Sequence, residues 1–98
     1  MQTYSLFKNA EALDKMFQGR KYMDSKHSEK YIRIGLNISL QRKLKKMTQI
    51  ELAEKIGISR THMSNIEAPN MVTPVSLEVI FDICDVLDIS PEVLFKIS

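Results

Sequence analysis

Thr48 and Ser59 each stand where a short polar side chain can cap a new helix, and Gly57 lies between them. Glu51 follows Thr48 by three residues, so each side chain can accept a hydrogen bond from the other's backbone N–H in a reciprocal capping box. Met47 ahead of the cap and Leu52 in the first turn can pack together, fixing the angle at which the chain enters the helix. The helix reaches Ile56, where Gly57 can take the positive φ of an abrupt stop. Ser59 then opens a second helix, stapled by Ile58 and Met63, which lasts to about Glu67 before Pro69 closes it. Two short helices joined by so tight a turn must cross steeply, and the small Ala53 permits close backbone approach.

The remaining segments supply helices to cover this pair. Residues 5–18 place Leu6, Phe7, Ala10, Leu13, Met16 and Phe17 on one helical stripe that ends at Gly19, and the polar residues 20–29 read as a linker. A helix over about 30–45 carries Ile34 and Ile38 on one face and finishes in Arg42, Lys43, Lys45 and Lys46, cations that suit a helix C-terminus. Beyond an irregular loop at 68–75, Leu77, Ile80, Phe81, Cys84 and Leu87 recur at helical spacing, with a stop at Asp88 and Ile89. Ser90, Pro91 and Glu92 then cap and start a last helix that is expected to add Leu94 and Phe95 to the core. No segment alternates as a strand does. The expected fold is all-α, a compact five-helix domain over residues 30–98 with an N-terminal helical extension and linker over 1–29.

With 98 residues the chain has room for one modest core. Its net charge of +2 says little, but the charge is unevenly placed. From Arg20 to Met47 nine Lys or Arg stand against two acids, whereas Ser76 to Ser98 holds five acids against Lys96. A basic side can neutralise phosphates and release their counterions, and an acidic far end would orient the molecule on a polyanion. No apolar run approaches the roughly 18 residues of a membrane span, and no signal-peptide stretch opens the chain, so a cytoplasmic location is expected, on the nucleoid when bound to DNA.

The pair at 48–67 has the form of a helix-turn-helix. Its second helix turns Ile58, Met63 and Ile66 to the core and leaves Arg60, Thr61, His62, Ser64 and Asn65 free to bond base edges or phosphates. The run from Thr48 to Arg60, followed by Met63-Ser64-Asn65-Ile66-Glu67, resembles the Cro and lambda-repressor type of helix-turn-helix domain. The resemblance extends from about Ile34 to Phe95 through Ile80, Leu87, Ile89, Ser90 and Leu94. It implies base contacts from Arg60, Thr61 and Asn65, and phosphate contact from Gln49 at the start of the first helix. Ser59, His62 and Asn70 join it as phosphate donors, and Arg42 with Glu67 is implied as a structural salt bridge. Three positions depart from the family's pattern. Lys46 stands where glycine is common, so the preceding helix is expected to stop differently. Gln41 replaces an apolar residue, with Leu40 or Leu44 expected to compensate. Ala68-Pro69-Asn70 replaces a polar-Gly loop, and proline cannot take a positive φ.

Other chemistry finds little footing. His27, His62 and one cysteine cannot close a zinc site unaided, and no cofactor is implied. Cys84 falls on a core stripe, the serines are mostly caps and neither histidine has a nucleophile beside it, so no enzyme is expected. The resemblance implies a transcriptional regulator, a prokaryotic or phage-like repressor that binds a double-stranded DNA operator as a homodimer. The alternative is a protein-interaction module such as an antitoxin gripping a toxin-like partner. The stripe over 5–18 suits packing on its own domain, dimer formation or partial disorder alike.

Overall fold

The computed structural model describes residues 26–96, and the extension expected over 5–18 lies outside them. Five helices follow in order: α1 (Ser28–Leu44), α2 (Gln49–Ile56), α3 (Arg60–Glu67), α4 (Leu77–Leu87) and α5 (Pro91–Leu94). No strand occurs among the described residues, as an all-α fold requires.

The capping signals act as their residue types dictate. Thr48 Oγ1 accepts from the Glu51 N–H at 3.0 Å, and Glu51 Oε1 accepts from the Thr48 N–H at 2.8 Å, completing the box. Ser59 Oγ accepts from the His62 N–H at 3.0 Å, and Ser76 Oγ does the same for Val79 at 3.2 Å. Ser90 differs. It precedes α5, but its hydroxyl bonds the Glu92 carboxylate at 3.0 Å rather than a backbone N–H.

Three helices stop through a residue in the left-handed region. Gly57 ends α2 at φ 76°, and Asp88 ends α4 at φ 56°. Lys46 after α1 sits at φ 57°, while the Lys46 and Met47 N–H groups bond the carbonyls of Lys43 and Arg42 at 2.9 and 3.1 Å. The helix therefore stops as it would with glycine, contrary to expectation, with lysine bearing the steric cost of that conformation.

Leu52 and Ala53 of α2, Met63 and Ile66 of α3, and Ile34 and Ile38 of α1 meet Ile80, Ile83, Cys84 and Leu87 of α4, with Leu94 closing the core from α5. The buried arc of α4 is narrower than its apolar arc, because only residues 80, 83, 84 and 87 are buried, with Val79 and Val86 packed partly buried at its margins. Leu77 and Phe81 are thus exposed rather than core, as is Phe95 beyond α5. Leu40 and Leu44 do not compensate for Gln41 either, since both point outward and Gln41 itself is half-buried.

Two contacts position α3. Gly35 of α1 lies so close beneath it that a Cβ there would overlap the Ile66 carbonyl oxygen. Beyond its C-terminus, Val72 is buried and the Thr73 hydroxyl bonds the Asn65 carbonyl at 3.1 Å, so the loop carrying Pro69 is pinned to the helix. At the other end of the domain, the Asn37 side-chain amide donates to the carbonyls of Leu94 and Lys96, both at 3.0 Å, and ties the C-terminus to α1.

Candidate nucleic-acid interface

A helix of eight residues that turns Met63, Ile66 and Glu67 inward has one open face. That face carries Arg60, Thr61 and Ser64, all exposed, with Asn65 half-buried at its margin. Ser64 therefore shares the face with the predicted base readers, a place legible from its spacing three residues beyond Thr61. His62, half-buried, lies beyond Asn65 on the same side of the helix. Ser59 is exposed at the cap, where its hydroxyl oxygen already serves the backbone, leaving the hydroxyl hydrogen free to donate. Asn70 is exposed in the loop that follows α3.

The start of α2 is braced against the end of α3. Arg42 Nε and Nη2 reach Glu67 Oε2 and Oε1, each at 2.8 Å, a bidentate pair in which both residues are buried. The third nitrogen, Nη1, donates to the Met47 carbonyl at 2.7 Å. Hydrogen bonding to Glu67 raises the Arg42 pKa above its ordinary value against the opposing effect of burial, so the guanidinium stays charged. Gln49 Nε2 donates to the same Glu67 Oε1 at 2.9 Å. One buried carboxylate thus holds the end of α1, the first residue of α2 and the last residue of α3 in register. The salt bridge assigned to Arg42 and Glu67 forms, and Gln49 is joined to it.

Beside this brace an open concavity of about 400 Å³ runs between the end of α1 and the start of α2. Lys43, Lys46, Gln49 and Arg60 contribute to its lining, along with Thr48 and Ile50. Three cations and a helix N-terminus, whose dipole end is positive, make it suited to an anion. Lys43 and Lys46 were legible in the sequence only as part of a basic cluster; their convergence on Gln49 and Arg60 depends on how α1 crosses α2.

Among the described residues no group of three His, Cys, Asp or Glu could hold a metal ion, and no helix is long and apolar enough to cross a membrane. Cys84 is buried, and that burial, with the nearby Asp85 charge, pushes its thiol pKa up, away from reactivity.

A sequence profile described as helix-turn-helix matches residues 38–94, more than half of the chain. Comparison with curated proteins gives no match. Among solved structures, the restriction-modification controller protein C.AhdI from Aeromonas hydrophila is similar over 66% of this chain and 96% of its own, with 29% identity and a TM-score of 0.61. The matched span contains all of α2 to α5, the crossing pair and the Arg42–Glu67 brace, and the chain belongs to the Cro/C1-type helix-turn-helix family of DNA-binding transcriptional regulators.

Proposed function

We propose that the chain is a sequence-specific repressor that lays α3 in the major groove of a double-stranded operator, with residues 30–98 as the DNA-binding domain. The observation that carries this reading is the pairing of a polar α3 face, unused in packing, with the cationic concavity beside it. Arg60 matches guanine O6 and N7, Asn65 matches adenine N6 and N7, and Thr61 meets a thymine methyl or a phosphate. Gln49, oriented by Glu67, bonds a backbone phosphate in the concavity, where Lys43 and Lys46 supply charge. Ser59, His62 and Asn70 donate to flanking phosphates. Phosphate contacts of this kind set register, and the α3 side chains read sequence.

Binding is as a homodimer, whose two-fold symmetry sets half-sites about 34 Å apart or a multiple of that. Likeness to a restriction-modification controller supports a regulatory role. Selection from random duplexes with the full chain tests the proposal. An enriched motif with two related half-sites is expected, and a pool that stays unenriched after repeated rounds overturns it.

A further inference from the structure

The end of α3 is closed differently from the ends of α1, α2 and α4. Those three stop through a residue at positive φ, whose turn returns backbone N–H groups to the last carbonyls. After α3 the chain passes instead into Ala68, extended at ψ 126°, and then into Pro69, and the last turn carries no basic side chain. In a continuing helix the Asn65 carbonyl would accept from the N–H four residues on, which is position 69, and proline has none. The Ala68 N–H reaches that carbonyl only at 3.3 Å.

A side chain from across the loop supplies the missing donor. The Thr73 hydroxyl donates to the Asn65 carbonyl at 3.1 Å. Thr73 is itself held in place, because Val72 before it is buried and Pro74 after it restricts its backbone to the extended region.

We propose that Thr73 is a positioning residue for base reading: its hydroxyl stands in for the N–H that Pro69 lacks, fixes the last turn of α3, and so keeps Asn65 where pairing with adenine needs it. The inference rests on the operator reading given above. Asn65 is short, so its amide follows the backbone closely, and a bidentate pair tolerates a displacement of only about 0.5 Å. Arg60 differs on both counts. Its long side chain can re-aim, and its end of the helix is fixed by the Ser59 cap. Ile66 in the core and the Arg42–Glu67 pair keep α3 seated, so removing the hydroxyl releases the peptide unit after Asn65 and leaves the fold in place.

Selection from random duplexes with four full-length chains tests this. They are wild type, Asn65→Ala, Thr73→Val, which keeps the branched shape without the hydroxyl, and Thr73→Ser, which keeps the hydroxyl without the methyl. Asn65→Ala identifies the base pair that Asn65 reads. Thr73→Val is expected to lower discrimination at that same base pair by about tenfold and to leave the rest of the half-site unchanged, while Thr73→Ser keeps the wild-type motif. A Thr73→Val motif identical to wild type, or one weakened evenly at every position, overturns the role of Thr73 and leaves the operator reading standing. So does a Thr73→Ser chain that behaves as Thr73→Val, since the hydroxyl is then not the cause. A wild-type pool without a motif, or an Asn65→Ala motif that matches wild type, overturns the reading of Asn65 itself and the role of Thr73 with it.

Discussion

Gly35 and Ile66 meet backbone to backbone: the Cα of one lies against the carbonyl of the other, in a gap no Cβ can enter. The contact sets how deeply α3, the proposed reading helix, seats on α1, and therefore how far Arg60, Thr61 and Ser64 project. Gly35→Ala is expected to destabilise the fold by about 1–3 kcal/mol or more, since the obstructing atom is backbone and cannot rotate away. Urea denaturation reads the loss. Where folded protein persists, DNA affinity should fall on all sequences together, because α3 as a whole is displaced.

The brace around Glu67 predicts a separation of stability from binding. Glu67→Ala leaves buried Arg42 unpaired and is expected to cost about 3–5 kcal/mol. Replacing both partners with Arg42→Met and Glu67→Leu should recover much of that stability, since no buried charge remains. It also removes the acceptor that orients Gln49. The double variant is therefore expected to denature near the wild-type urea midpoint while binding duplex DNA more weakly, a pair of outcomes that a purely structural brace would not produce.

Lys46 carries an opposite trade. Its φ of 57° disfavours any residue with a Cβ, yet the position lies on the cationic concavity. Lys46→Gly is expected to hold or raise stability, by up to about 1 kcal/mol, because relief of the left-handed strain is offset in part by the greater freedom of glycine when unfolded. The same variant should bind DNA less tightly, with the slope of log affinity against log salt reduced by about 1. Titrations at several salt concentrations decide it.

On the α3 face, Arg60→Ala and Asn65→Ala are each expected to cost about 1–3 kcal/mol on the preferred operator and to relax base preference at one position per half-site. Gln49→Ala should weaken all sequences nearly uniformly. Repeating the duplex selection with each variant distinguishes the two patterns: loss of one position in the motif marks a base reader, and an unchanged motif marks a phosphate contact.

The capping box gives a pH dependence. The Glu51 carboxyl is held below the usual carboxylate range, first by the Thr48 backbone N–H and then by the Thr48 hydroxyl. A carboxyl depressed in the folded state stabilises above its unfolded pKa, and that stability is lost as pH falls through the folded-state value. Glu51→Gln should therefore be less stable than wild type near neutrality, with the gap closing as pH falls from about 6 to about 2 in parallel denaturation series. A gap that is constant over the range would show that the charge of Glu51 contributes nothing.

Much of the molecule follows from neighbours along the chain. Thr48 with Glu51, Gly57 and Ser59 determine the crossing pair, because a cap, a stop and a second cap act within a few residues and need no partner from elsewhere. The outward placing of Arg60, Thr61 and Ser64 follows from the inward demand of Met63 and Ile66 at helical spacing. Tertiary structure decided what depends on which arc a neighbour covers. It left Leu77, Phe81 and the α1 leucines outside the core, although by composition and spacing they match residues that are buried. It placed Gly35 beneath Ile66, drew Gln49 to a carboxylate 18 positions away, and gathered Lys43, Lys46 and Arg60 around one concavity. Apolar periodicity tells a helix that it has a buried side; only the packed bundle settles how wide that side is and which distant groups share it.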